Sequence, residues 1–140
     1  FMIDLARGVS RSVGEYRSGR EAEPRMGRQL KGATLGIIGY GAIAQELAPL
    51  ALALGMNVLV SDPYKRIDDA RLKQVELDAL LAEGDFVVGL AVANEQTENL
   101  IGEAAFARMK RGSFFLNLSR GNLVDEAALE RALDEGRIAG

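Results

Sequence analysis

Three groups of residues have the types and spacing that chemistry needs. The first is Gly39-Tyr40-Gly41-Ala42-Ile43-Ala44, which fits the pattern G-x-G-x-x-G/A. In such a turn Gly39 permits a tight reversal, with Tyr40 carried at its tip. Gly41 leaves the backbone open to an approaching pyrophosphate, and Ala44 lets the following helix pack closely on the strand. The N–H groups at the start of that helix, around Ala42 and Ile43, then face the phosphates. The second group is Asp62, in Val60-Ser61-Asp62-Pro63. A carboxylate closing the next strand accepts both ribose hydroxyls of adenosine and repels a 2′-phosphate, which favours NAD over NADP. Tyr64, Lys65 and Arg66 follow at once and soften that discrimination if they fold back over the pocket. The third is Arg120, in Leu116-Asn117-Leu118-Ser119-Arg120-Gly121-Asn122. A guanidinium grips a carboxylate through two parallel hydrogen bonds and polarises a neighbouring carbonyl. Each group also has a plainer reading: a strand–helix turn, a turn Asp before proline, and a surface Arg helping to cap a helix.

Elements that alternate in type carry these groups. Met2, Leu5, Ala6, Val9, Val13 and Tyr16 recur at helical steps and predict one amphipathic helix ending near Gly19. Residues 21–33 are polar, contain Pro24, Gly27 and Gly32, and read as a linker. Thr34–Tyr40 reads as a strand and Ala42–Leu54 as a helix with Ile43, Leu47, Leu50, Ala51 and Leu54 on one face. Gly55 ends that helix, and Pro49 lies inside it, where a missing donor should bend the axis. Asn57–Asp62 is a second strand, Leu77–Glu83 a short helix and Phe86–Ala93 a third strand. A loop over 94–101, a helix over Glu103–Lys110 and a fourth strand over Ser113–Ser119 come next. Asp125 then caps a helix carrying Ala128, Leu129, Ala132 and Leu133. Apolar strands alternating with amphipathic helices require a parallel sheet covered on both faces. The expected fold is therefore α/β, a Rossmann-type doubly wound parallel sheet behind an N-terminal amphipathic helix.

Composition narrows the chemistry. The 140 residues are 48% hydrophobic and 26% charged, enough for one domain with a core. Seventeen basic residues against twenty acidic ones leave a net charge of −3, so no basic surplus points to nucleic acid. Cysteine and histidine are both absent, which removes thiolate nucleophiles, imidazole bases and the usual zinc ligands from these residues; no metal is expected. The longest charge-free apolar run, Leu47–Val60, falls short of the roughly 18–20 residues of a membrane span. The N-terminus lacks the order of a secretory leader, and a cytoplasmic location is expected. The chain opens on Phe1-Met2-Ile3 and closes on Arg137-Ile138-Ala139-Gly140, which reads as the beginning of a strand. It is expected to be a piece of a longer protein: residues 1–20 a linking or dimerisation helix, 21–140 a dinucleotide-binding domain incomplete at its C-terminal end.

The run Leu35-Gly36-Ile37-Ile38-Gly39-Tyr40-Gly41-Ala42-Ile43-Ala44, then Ser61-Asp62-Pro63, then Asn117-Leu118-Ser119-Arg120-Gly121-Asn122-Leu123-Val124-Asp125-Glu126 resembles the D-2-hydroxyacid dehydrogenases. Phosphoglycerate dehydrogenases and glyoxylate/hydroxypyruvate reductases belong to that family. Leu77–Leu81, Asp85-Phe86-Val87, Thr97–Ile101 and Met109-Lys110 fall in step with it too. The resemblance implies a hydride transfer between a D-2-hydroxy (2-oxo) acid and NAD. Arg120 would hold the carboxylate and carbonyl of the acid, as the catalytic-site residue of this chain. Asp62 would bind the ribose, Ala42 and Ile43 the pyrophosphate, and Leu118 and Ser119 the nicotinamide side, while Ala91 lines the cleft. The resemblance places the acid/base His and its Glu after the equivalent of Gly140, so these residues alone are expected to be inactive. It also implies a homodimer, built in part by the N-terminal helix.

Two positions depart from the family pattern. Leu90-Ala91-Val92 stands where His-x-Pro is common, and Ala42 stands where an Arg often follows the second glycine. A non-catalytic NAD-sensing module, as in corepressors resembling the same family, keeps the same residues and is the alternative function. A reductase using NADPH is a third reading.

Overall fold

The computed structural model describes residues 1–140. Five parallel strands form its centre: β1 (Thr34–Ile38), β2 (Asn57–Ser61), β3 (Lys73–Gln74), β4 (Phe86–Gly89) and β5 (Phe114–Asn117). Their order across the sheet is β3-β2-β1-β4-β5. From β1 the chain winds outward to β2 and β3, then returns to the other side of β1 to make β4 and β5. The strand order thus reverses between β1 and β4, and a crevice opens at such a switch point beyond the carboxyl ends of the strands. Ile38 pairs with Ser61 on one side and Gly89 on the other, so β1, β2 and β4 end level with one another.

Helices cover both faces, because each central strand is apolar on both sides. Leu35 and Ile37 of β1 and Val58 and Val60 of β2 pack with Ala44, Ala48 and Ala51 of α3 (Ala42–Ala53). On the opposite face Ile38 and Leu59 meet Leu80 and Leu81 of α4 (Leu77–Glu83). Phe106 of α5 (Glu103–Arg108) and Ala128 and Ala132 of α6 (Glu126–Asp134) continue that layer. Each layer carries an aromatic pair: Phe86 stacks on Phe114 at 5.2 Å, and Phe106 meets Phe115 edge-on at 5.7 Å. Asp125 caps α6 by accepting the N–H of Ala128 at 3.1 Å. Ile138 forms a parallel bridge to Ser113, so the last residues lie alongside β5 as a strand would. No helix is long and apolar enough to cross a membrane.

Several elements differ from the sequence expectation. The N-terminal helix is two: α1 (Met2–Arg7) and α2 (Val9–Arg17), separated by Gly8 at φ 65°. A left-handed glycine ends one helix and redirects the chain into the next. Only Ala6 of α1 is fully buried, whereas α2 buries nothing and leaves Val9, Val13 and Tyr16 in solvent. In α3 the expected apolar face is only partly inward: Ala51 is buried and Leu47 half-buried against the core, whereas Ile43, Leu50 and Leu54 are exposed. Ala44 and Ala48 join Ala51 on the inward face, since small side chains let the helix axis approach the sheet closely. At its end Gly55 N–H bonds to Leu52 O and Met56 N–H to Ala51 O, a Schellman closure with Gly55 at φ 74°. β4 stops at Gly89 rather than Ala93, and Leu133 of α6 is exposed. β3, two residues long, has no counterpart in the sequence expectation.

Candidate functional site

The glycine turn joins β1 to α3 at the switch point. Gly39 has φ +88°, and a Cβ there would lie 2.7 Å from Ala91 Cα. It is therefore glycine for two internal reasons, left-handed backbone and contact with the chain leaving β4. Gly41 has neither reason. Its φ of −79° and ψ of −171° suit any residue, and nothing lies within 4 Å of where its Cβ would be. Ahead of it is open cleft, so a side chain at position 41 would obstruct only a visitor. α3 has no side-chain N-cap, and the N–H groups of its first turn point outward with roughly half a positive charge between them. A Cβ-free backbone before uncapped amides is what an anionic phosphate requires.

The cleft has a volume of about 1020 Å³. Gly39, Tyr40 and Gly41 form one wall, Asp62 and Lys65 another, and Leu90, Ala91 and Val92 a third. Asp62 is half-buried at the end of β2, and its carboxylate already accepts two main-chain N–H groups: Tyr40 at 2.7 Å and Tyr64 at 2.9 Å. A carboxylate offers about four lone-pair positions, so two remain for a vicinal diol. The segment after Pro63 folds back over the cleft. Lys65 Nζ donates to Tyr40 O at 3.0 Å, and Tyr64 OH to Gln96 Oε1 at 2.6 Å. Arg66 turns away and pairs with Asp68 in solvent. Gln74 of β3 secures this loop, donating to Lys65 O at 2.7 Å and to Asp62 O at 3.2 Å, while its Oε1 accepts Ile67 N–H.

Of the residues singled out in the sequence, Gly39, Tyr40, Gly41, Asp62 and Ala91 line one cleft. Ala42 and Ile43 stand at its edge, Ile43 with its side chain in solvent. Leu118 and Ser119 follow β5 next door, where Ser119 Oγ donates to Ala91 O at 2.6 Å and ties the two strand ends together. Leu118 is 44% exposed. Arg120 is exposed beyond them; its guanidinium donates to Ser119 O at 3.2 Å and contributes no lining to the cleft. Asn117 fixes the turn that carries it, accepting Ser119 N–H and donating to Arg120 O at 2.8 Å. The sequence marks Lys65 only as a neighbour of Asp62 and gives Gln74 no role, because no local pattern links β3 to the cleft. No cluster of three or more acidic, His or Cys side chains suits a metal.

Comparisons with known proteins show the family. A family profile described as D-isomer specific 2-hydroxyacid dehydrogenase, NAD binding domain, matches residues 1–140. The hydroxypyruvate reductase of Thermotoga maritima is 36% identical over 138 residues, 98% of this chain and 45% of that protein. The D-3-phosphoglycerate dehydrogenase of Archaeoglobus fulgidus is 37% identical over 99% of this chain and 27% of its own length. The chain thus spans less than half the length of these curated relatives. A D-isomer specific 2-hydroxyacid dehydrogenase of Lactobacillus delbrueckii ssp. bulgaricus, solved in its NAD-complexed form, superimposes with a TM-score of 0.90. It is 30% identical, and the match covers 99% of this chain and 44% of that one. Matched by that profile along its whole length, the chain belongs to the D-isomer specific 2-hydroxyacid dehydrogenases, as their NAD-binding domain.

Proposed function

We propose that the protein to which these residues belong is an NAD-dependent oxidoreductase acting on a D-2-hydroxy acid or its 2-oxo counterpart. The observation that carries this reading is Gly41, a glycine with no conformational or packing reason of its own, facing the cleft that Asp62 lines. The coenzyme, when bound, supplies the group that accepts hydride from the hydroxy acid or returns it to the 2-oxo acid. The chain's own residues bind and orient. The free lone pairs of Asp62 take the adenosine ribose, and the amides of Ala42 and Ile43 take the pyrophosphate. Ala91, Leu118 and Ser119 border the nicotinamide end. Arg120 grips the carboxylate of the acid and draws electron density from its carbonyl, so that C2 becomes the better hydride acceptor. The acid/base that takes the hydroxyl proton is the histidine that the family resemblance implies beyond these residues; the 140 residues, which contain no histidine, bind coenzyme without turnover. A second copy of the chain is the expected partner, covering the apolar stripe of Val9, Val13 and Tyr16 on α2.

The test is a titration with NADH, read by fluorescence, beside turnover assays on glyoxylate, hydroxypyruvate, 3-phosphoglycerate and D-lactate with the full-length protein. Binding together with turnover of one acid supports the proposal. Binding with no turnover of any of them overturns the enzyme reading in favour of a nucleotide sensor, and tighter binding of NADPH than of NADH overturns the coenzyme assignment.

A further inference from the structure

We propose that Lys65 is a coenzyme-binding residue whose ammonium supplies the positive charge against the pyrophosphate at the glycine turn. The inference rests on the NAD-binding reading and goes beyond it by naming the cation. A pyrophosphate brings two negative charges, and the first turn of α3 offers only about half a charge in return. Ala42, the residue after the second glycine, supplies no cation. Among the residues lining the cleft Lys65 is the single basic one, set against the acidic Asp62 and Glu76.

Its position is specific. Nζ lies 3.0 Å from the carbonyl of Tyr40, the residue between the two glycines, so the charge stands beside the phosphate turn instead of trailing into solvent. That bond uses one of three ammonium donors and leaves two to face a ligand. No carboxylate pairs with Lys65 within 4 Å to compete for it. The backbone beneath is fixed as well. Gln74 Nε2 clips Lys65 O at 2.7 Å, Gln74 Oε1 takes Ile67 N–H at 3.1 Å, and Asp62 Oδ1 takes Tyr64 N–H at 2.9 Å. An ordinary solvated lysine has no such seating. Here the loop after β2 is braced from β3, and the brace delivers one charge to the glycine turn that leads into α3.

The experiment compares the unaltered protein with Lys65→Met and Lys65→Arg in titrations against NADH, NADPH, ADP-ribose and adenosine. Lys65→Met keeps the length of the side chain and removes its charge. It is expected to weaken NADH and ADP-ribose alike, by about 5- to 50-fold, to leave adenosine unchanged, and to flatten the salt dependence of NADH binding. Lys65→Arg is expected to restore most of the loss. Gln74→Ala is expected to weaken NADH in the unaltered background and to add little once Lys65 is Met. Unchanged NADH affinity in Lys65→Met, beside normal binding by the unaltered protein, overturns the inference alone. A loss confined to NADPH also overturns it, by moving the charge to a 2′-phosphate. Failure of the unaltered protein to bind NADH removes the reading beneath it, and the inference falls with it.

Discussion

The carboxylate of Asp62 accepts the main-chain N–H of Tyr40 at 2.7 Å, so the side chain expected to clasp a ribose also pins the glycine turn to the end of β2. The two halves of the cleft are thereby one unit: position 62 sets where the turn stands as well as what it faces. This coupling separates two substitutions. Asp62→Asn keeps one oxygen, enough for the Tyr40 N–H that holds the turn but not also for Tyr64 on a second oxygen, and loses the charge that excludes a 2′-phosphate. NADH affinity should fall about tenfold, and the preference for NADH over NADPH should narrow. Asp62→Ala removes ribose acceptor and turn anchor together and should lose about 10- to 100-fold. Equal affinities for the unaltered protein and Asp62→Ala, measured by calorimetry, would refute the assignment.

The glycines of the turn should respond oppositely. Gly39→Ala forces a left-handed backbone, costing roughly 1–2 kcal/mol, and drives a Cβ to 2.7 Å from Ala91 Cα. The melting temperature should drop by about 5 °C or more. Gly41→Ala meets nothing within 4 Å and sits at an ordinary φ. Its stability should hold or rise slightly through reduced freedom of the unfolded chain, while NADH binding weakens at least tenfold. Calorimetric unfolding and coenzyme titration on both variants check the pair; a stable Gly41→Ala protein with full affinity would contradict the phosphate reading.

The contrast between these glycines shows what was legible in the sequence. The turn, α3 and Asp62 could be read because their meaning is local: small residues at fixed offsets and an acidic residue closing the next strand. The inward face of α3 could not. Ile43, Leu50 and Leu54 are the larger apolar residues, and hydrophobic size alone selects them. The sheet takes Ala44 and Ala48 beside the expected Ala51, because how near a helix can stand depends on side-chain volume. The break at Gly8 was hidden by apolar residues that keep helical steps across it. β3 and the seat of Lys65 depend on Gln74, nine residues away from Lys65, through bonds that leave no periodic trace.

The approach to β3 carries a pH-dependent contact. Arg71 donates two side-chain hydrogen bonds to Asp69, at 2.9 and 2.7 Å, and holds its carboxyl down at about 2 from an ordinary 3.8. A carboxyl lowered in the folded state stabilises above its unfolded value and ceases to do so as pH falls through the folded one. The contribution is therefore complete above about pH 3.8 and lost on descending towards 2. Carboxyl carbon titration by NMR should find Asp69 at the low value, and Arg71→Ala should return it towards 3.8. An unshifted Asp69 in the unaltered protein would show that the pair does not persist in solution.

The uncovered stripe on α2 gives the oligomer its test. Val9, Val13 and Tyr16 recur at i, i+4 and i+7 and remain 53%, 43% and 65% exposed. Charges placed there, as in Val13→Asp with Tyr16→Asp, touch no core residue and should leave the fold and its NADH affinity intact. Sedimentation should show a dimer for the unaltered protein and a monomer for the double variant. A monomer in both cases would assign the stripe no partner of its own kind.

Arg120 lies apart from the coenzyme cleft, and that separation makes its role measurable. Its guanidinium is exposed, donates only to the adjacent Ser119 carbonyl, and is presented by a turn that Asn117 fixes on both sides. Removing it should leave NADH affinity within about twofold of normal, since none of the cleft lining is lost. Turnover of the acid is another matter. In the proposed role, two charge-assisted bonds, one to the carboxylate and one to the reacting carbonyl, are worth about 3–6 kcal/mol together. Arg120→Ala should accordingly lower kcat/KM by about 100- to 10,000-fold in the full-length protein. Arg120→Lys keeps the charge but not the fork and should recover only part of the loss, mainly in KM. Were Arg120→Ala instead to weaken NADH and spare turnover at saturating coenzyme, the side chain would belong to the nucleotide and not to the acid.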